Sequence, residues 1–308
     1  VEKKYGKGKF KDNPKGFIKA CREFAKQQIE KQKVDFIRLG IFADWENPYS
    51  SMDKKIESGI VSSLGKMISN KHIYYGSKPV HWCIESSSAL AEAEVEYKDI
   101  VSRAVCVTFR FDDRDVFKKM NLNPQKDIFI PIWTTTPWTL PANKAVAVSI
   151  NIDYSIVETD KNYLIIAENL VSDILKKSKI SKFERINNIK GKLLEKCNLQ
   201  HPFYNQLVPI ILANHVTDEN GTGAVHIAPG HGVDDYIAGV NNNLEIFNPV
   251  DDFGKFHKEL PIFGGIPIRE SNHEIIKCLE NNNRLLYAED YSHSYPHCWR
   301  YKTPLIFR

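Results

Sequence analysis

The 308-residue sequence is short of several things, and each shortage excludes a class of protein. Its six cysteines, at 21, 83, 106, 197, 278 and 298, include no CxxC pair. That argues against a disulfide scaffold and for a reduced, intracellular protein. No apolar run approaches the roughly 18 residues a membrane span needs. The opening VEKKYGKGKFKDNPKG lacks an apolar signal-peptide core, and the missing initiator Met is expected of a piece of a longer chain. With 16 Gly and 15 Pro and 42% hydrophobic residues, collagen-like and wholly disordered classes fall away. Nor is there a strong charge of one sign. The balance is +4, from 42 Lys and Arg against 38 Asp and Glu, which is compatible with nucleic acid without implying it. No tandem repeat of roughly 20–50 residues is visible.

At roughly 150 residues per domain, the length suggests one large or two modest domains. Two helices are expected first. After the Asn13–Pro14 start signal, Phe17, Cys21, Phe24, Ala25 and Ile29 recur at helical spacing. DFIRLGIFADWENPY (35–49) then reads as an apolar run ending in a turn, and Ile56, Ile60, Leu64 and Met67 share a second helical face. Ordinary core packing explains both stripes. From residue 103 the character changes: Val105, Val107, Phe109 and Phe111 alternate with other residues, and strands are expected at 105–111, 128–133, 144–148, 155–159, 163–167, 208–212 and 224–227. Helical patterns fall near 168–178, 233–241 and 272–281. The middle is therefore expected to be a mixed, barrel-like α+β domain. KPVHWC (78–83) and YPHCWRYKTP (295–304), alike in composition, suggest two legs of a stalk carrying it.

Two segments concentrate the chemistry. WTTTPWTLPAN (133–143) sets three threonines at a strand end, bracketed by prolines that stiffen the backbone. GTGAVHIAPGHGVDDY (221–236) makes a tight glycine turn, a short strand ending near His226, and a helix start at Asp234–Asp235. One of those carboxylates is suited to a cationic group such as an α-ammonium. Metal ligation by His226, His231, Asp234 and Asp235 is a lesser alternative, and His226 as a satisfied core histidine another. No GxGxxG, Walker or GxSxG pattern occurs, so nucleotide cradling and a serine elbow are rejected. Any hydrolysis would use an activated water, oriented by Thr hydroxyls and backbone N–H groups. Lys177–Ser178–Lys179 reads as surface helix, and Asn220–Gly221–Thr222 is a glycosylation acceptor only formally.

These two segments resemble the editing region of the bacterial-type isoleucyl-tRNA synthetases, within the class I aminoacyl-tRNA synthetases. DFIRLGIFADWENPY, KPVHWC, SALAEAEVEY (88–97), NPV (248–250) and HSYPHCWRYKTPLIFR (293–308) extend the resemblance over essentially the whole chain. It implies an editing domain inserted into a split Rossmann-type (α/β) catalytic domain. Residues 1–77 would be part of the catalytic domain, 78–88 a connecting stalk, 89–290 the editing domain and 291–308 the return stalk. The ATP-binding signature would lie before residue 1, and the second catalytic signature after residue 308.

Position by position, the resemblance implies Thr134, Thr135, Thr136 and Thr139 as pocket-lining and catalytic residues, with Trp138 beside them. Asn143 is expected near the terminal adenosine or the water. His226 is expected to limit side-chain size, and Asp235 to bind the substrate α-ammonium. The implied reaction is hydrolysis of the ester of mischarged valyl-tRNA(Ile). ATP and magnesium would serve only the full-length enzyme, a cytoplasmic monomer partnered by tRNA(Ile), with no DNA and no membrane. Relatives often carry a zinc knuckle from two cysteine pairs. Here Cys83–Ile84–Glu85–Ser86 and Cys298–Trp299–Arg300–Tyr301 keep one cysteine each, so Cys83 and Cys298 are expected to be metal-free remnants. Two alternatives stand beside this reading: a valyl- or leucyl-type editing site, and a non-catalytic tRNA-binding or structural piece.

Overall fold

The computed structural model describes residues 1–6, 13–112 and 115–308. They divide into two compact units, Val1–Gly76 and Ser77–Arg308.

The first unit holds helices α1 (Glu2–Tyr5), α2 (Pro14–Arg38) and α3 (Lys54–Ser69). Its described residues include no strand, so the α/β alternation of a Rossmann domain is not seen in them. Both long helices start on a side-chain cap. Asn13 Oδ1 accepts the Gly16 N–H at 2.9 Å, with Pro14 in the first turn, and Asp53 Oδ1 accepts the Lys55 N–H at 2.7 Å. Arg22 ties them together, pairing with Glu57 and donating to Met52 O. The expected core stripes are not buried. Neither helix has a buried residue, and Ile60, Leu64 and Met67 are about half exposed. Periodicity marks which face is apolar; it does not supply the surface that covers it.

The second unit carries two sheets. The small one is built from β1 (His81–Cys83), β2 (Ser88–Leu90) and β13 (Ile306–Phe307) in the order β13-β1-β2. It joins the first flank to the residues just after the second through the pair His81↔Phe307. The large one comprises β3 (Val95–Phe111), β4 (Asp127–Thr134), β5 (Ala145–Val148), β6 (Asp153–Thr159), β7 (Asn162–Ala167), β8 (Phe183–Lys190), β9 (Asn198–Gln200), β10 (Leu207–Leu212), β11 (Ala224–Ile227) and β12 (Leu285–Cys298). Helices α4 (Asp115–Met120), α5 (Val171–Lys177), α6 (Val233–Asn241) and α7 (Ile268–Asn281) accompany it.

The ladder order is β11-β5-β10-β9-β3-β4-β7-β6-β8, with β12 also on β3. The pairs β4–β7 and β5–β10 are parallel and the rest antiparallel, so the sheet is mixed as expected. The expected barrel is not formed. Among the described residues β11 pairs only β5 and β8 pairs only β6, so the two ends never meet. Alternation along a strand reports faces and carries no information on closure. The β8 edge is blunted by its own sequence: FERINNIK is exposed at every position but Ile189.

β3 is the spine of this unit. Val105, Val107, Phe109 and Phe111 enter the main core with Ile128, Ile130 and Ile132 of β4, while Ala104 and Cys106 on the opposite face are also fully buried. β12 was not apparent in the sequence as a strand, yet it pairs with β3 from Leu285↔Val107 to Cys298↔Val95 without a break at residue 290. Its Tyr, Ser, His and Pro alternation, YSHSYPHC, carries too little aliphatic character to signal a strand. No helix among the described residues is long and apolar enough to cross a membrane.

Candidate active site

β4 ends at Thr134, and the chain turns at once into a 3₁₀ turn over Pro137–Ala142, all six residues buried. Thr136 is its N-cap, and Pro137 supplies the fixed φ that a first helical position favours. The hydroxyls organise the corner locally. Thr134 Oγ1 accepts the Thr136 N–H at 3.1 Å and lies 3.3 Å from Thr136 Oγ1. Thr139 Oγ1 donates to Thr136 O at 2.9 Å. Thr135 is half-buried and makes no side-chain hydrogen bond among the described residues.

Two distant side chains hold this turn. Asn272 of α7 accepts the Trp138 N–H at 3.1 Å, and His201, following β9, donates from Nε2 to Leu140 O at 3.1 Å. Burial holds the His201 ring neutral, with its pKa down to about 3, against the pull of the Leu140 carbonyl. Its Nδ1 is then free to accept the N–H groups of Phe203 and Tyr204. Neither Asn272 nor His201 was singled out in the sequence. They lie 134 and 61 residues from the atoms they hold, and no local pattern encodes such a contact.

The second motif brings His226 to the same place. β11 pairs antiparallel with β5, opposing His226 to Val146, and Asn143 lies two residues before the start of β5. The glycine turn before β11 is sterically required. Gly223 has φ +79°, and a Cβ there would lie 2.2 Å from Ala167 Cβ. His226 Nε2 sits 2.9 Å from Thr139 Oγ1, and its Nδ1 sits 3.4 Å from Asn143 Nδ2. Thr139 has already spent its one proton on Thr136 O, so it accepts from His226 Nε2–H. Asn143 Nδ2 gives one hydrogen to Ala145 O at 2.9 Å and the other to Nδ1. The ring is thus held as a single neutral tautomer, and burial, with His231 nearby, pushes its pKa down to about 4. Asn143, only 2% exposed, is left with Oδ1 unpartnered among the described residues.

Asp235 stands in the first turn of α6 and reaches back toward the strand end. Its Oδ2 accepts the Ala228 N–H at 2.8 Å, two residues beyond His226. Burial raises its pKa to about 6, the Ala228 N–H opposes the rise, and Asp234 adds to it. Asp234 itself is exposed. Between strand and helix, His231 packs edge-on to Trp138, ring centroids 5.1 Å apart.

Thr134, Thr136, Thr139, Asn143 and His226 therefore form one hydrogen-bonded cluster. Trp138 borders it through His231, and Asp235 borders it through the β11 backbone. The chemistry on offer is a set of fixed donors and acceptors around a carboxylate of raised pKa, with no activated side-chain nucleophile.

Among the described residues no group of three or more His, Cys, Asp and Glu converges. Both ring nitrogens of His226 are engaged. Cys83 and Cys298 are buried in an apolar cluster with Leu305, and His297 Nδ1 donates to Tyr295 O at 2.8 Å. The lysine pattern 177–179 ends α5, where Lys177 pairs with Asp173 and Glu289.

Known proteins agree with this architecture. Isoleucine–tRNA ligase of Legionella pneumophila (strain Lens) is 47% identical over 309 residues, covering 100% of this chain and 33% of that protein. The Chromobacterium violaceum isoleucine–tRNA ligase is likewise 47% identical over 309 residues, with 33% of its length covered. The chain thus spans about a third of the length of the curated relatives it matches. In fold, it is similar to the crystal structure of GlLeuRS-CP1, with a TM-score of 0.50 at 13% identity over 61% of this chain and 99% of that one. The family of class I tRNA synthetases (I, L, M and V) matches residues 1–205, two-thirds of the sequence, and to that family the chain belongs.

Proposed function

We propose that this chain is the editing portion of an isoleucine–tRNA ligase and hydrolyses the ester of mischarged valyl-tRNA(Ile). The observation that carries the reading is the Thr139–His226–Asn143 hydrogen-bonded cluster, walled by a rigid threonine turn and bordered by the Asp235 carboxylate. Isoleucine and valine differ by one methylene, worth only about 1–3 kcal/mol in a binding pocket, a limit for which this branch of enzymes is itself the standard example. A second site that admits valine and excludes isoleucine supplies the remaining discrimination.

In this reading the ionised Asp235 anchors the substrate α-ammonium through the oxygen not bonded to Ala228. His226, immobilised from both ring nitrogens, limits the side chain that fits. Thr134, Thr135 and Thr136 position the ester or the water, Thr139 holds His226, and Trp138 walls the site beside Asn143. Water adds to the ester carbonyl carbon and the bond from that carbon to the ribose oxygen breaks. The ribose oxygen takes a proton, and valine leaves as its carboxylate. Residues 89–290 would form this domain, with 78–88 and 291–308 as its stalk and 1–77 belonging to the catalytic part. The longer enzyme would join isoleucine to tRNA(Ile) in the cytoplasm with ATP and magnesium, chemistry not assigned to this chain alone.

A single-turnover deacylation assay on a panel of valyl-, threonyl- and isoleucyl-tRNAs tests the proposal. Preferential hydrolysis of valyl-tRNA(Ile) is expected. Preference for another misacylated tRNA would move the site to a sister specificity, and inertness toward all would leave a binding or structural piece.

A further inference from the structure

His231 lies in the APGHG turn between β11 and α6. Its Nδ1 is 2.9 Å from Phe307 O, and because a carbonyl only accepts, Nδ1 carries the hydrogen. Burial holds the ring neutral, with its pKa at about 4; the Phe307 carbonyl opposes that fall and Arg308 adds to it. A neutral ring with hydrogen on Nδ1 has a lone pair on Nε2. That atom is buried and has no hydrogen-bond partner among the described residues, in a side chain that is itself 9% exposed. A buried acceptor in that condition calls for an O–H or N–H donor.

Its surroundings tie it to the reacting groups. The ring packs edge-on to Trp138 of the threonine turn, and its proximity lowers the pKa of His226. Asn143 Oδ1, on the other flank of His226, is a second buried acceptor without a partner. The loop is also held in place. A Cβ at Gly230 would sit 2.4 Å from Phe247 O, so the turn lies against that backbone and delivers His231 as a fixed group. Of the donors an aminoacyl ester brings, the ammonium is already matched to Asp235. The hydroxyl donors remain.

We propose that His231 Nε2 accepts a hydrogen bond from a hydroxyl at the scissile ester, either the ribose hydroxyl beside it or the attacking water. This rests on the editing reading and adds a residue to it.

The test is single-turnover deacylation of valyl-tRNA(Ile) by the whole chain, by His231→Asn and by His231→Gln. Each is assayed on the natural terminal ribose and on one lacking the hydroxyl next to the ester. Asn keeps a donor for Phe307 O and removes the Nε2 acceptor; Gln can return an acceptor oxygen near Nε2. His231→Asn is expected to slow hydrolysis about tenfold, the usual effect of one lost hydrogen bond. His231→Gln should recover most of that loss, while both variants lower the Tm alike. If the donor is the ribose hydroxyl, the deoxy substrate slows the wild type by a similar factor and His231→Asn no further. If it is water, the His231→Asn loss is the same on both substrates. A wild-type rate in His231→Asn, or equal losses in both variants that track their Tm, overturns the assignment and leaves a merely structural histidine. A wild-type chain inert toward valyl-tRNA(Ile) removes the editing reading itself, and this role with it.

Discussion

Replacing Asp235 by Asn alters the charge at the candidate site while sparing most of its shape. The Asn side chain still offers an oxygen to the Ala228 N–H, which Asp235 now holds at 2.8 Å, so the turn before α6 keeps its tie. What disappears is the negative charge proposed to face the ammonium. A hydrogen bond to a charged partner contributes about 1.5–3 kcal/mol, or roughly 10- to 150-fold in kcat/KM for valyl-tRNA(Ile) deacylation. The pH profile separates this role from a structural one. Burial raises the pKa of Asp235 to about 6, and in the proposed role the ionised form binds the ammonium. Activity should be full above about pH 7 and fall roughly tenfold per pH unit below about 6. Asp235→Asn should lose that acid limb, since His226 and His231, lowered to about 4, stay neutral throughout. Stability has the opposite sign. A carboxyl whose pKa rises from 3.8 to about 6 on folding stabilises fully below about pH 4 and loses that contribution as pH rises through about 6. Asp235→Asn should therefore gain Tm relative to wild type near neutral pH. Deacylation within twofold of wild type, or an acid limb that persists unchanged in the variant, would refute the amine-anchor role.

His226→Ala removes the ring that Thr139 and Asn143 hold. It is expected to raise hydrolysis of correctly charged isoleucyl-tRNA by about tenfold or more, the scale of one methylene; unchanged rejection of isoleucine sinks the gate. The same variant should cost about 2–4 kcal/mol of stability through the cavity and the unmatched polar groups, measurable by urea unfolding. Gly230→Ala drives a methyl against Phe247 O and should destabilise by about 1–3 kcal/mol while slowing deacylation through His231; a wild-type Tm argues that the loop yields freely. At Cys83 and Cys298, elemental analysis after incubation with zinc is expected to find well under one equivalent, and one tightly held zinc per chain contradicts the metal-free reading.

Much of the local structure was legible without coordinates. The alternation of Val105, Val107, Phe109 and Phe111 in β3, the apolar runs of β4, β6 and β7 and the helix start at Asn13–Pro14 follow from side-chain geometry over a few residues. The candidate segments stood out too, because three threonines between prolines and a His and Asp pair around a glycine turn are costly choices for plain loops. Other features depend on partners far along the chain. β12 became a strand through its pairing with β3, since polar alternation alone does not require one. The sheet remained open because closure needs a ladder between its end strands, a relation no single segment encodes.

The sequence by itself determined which residue types stand at the candidate site: hydroxyls, one imidazole and one carboxylate that short-range steric rules hold at two turns. Only the tertiary structure decided their states. Thr139 and Asn143 set the tautomer of His226, Asn272 and His201 lock the threonine turn, and burial raises Asp235 while leaving His231 Nε2 unpartnered. The reason is physical. A side chain's identity is local, but its desolvation and its hydrogen-bond partners come from segments that meet only on folding.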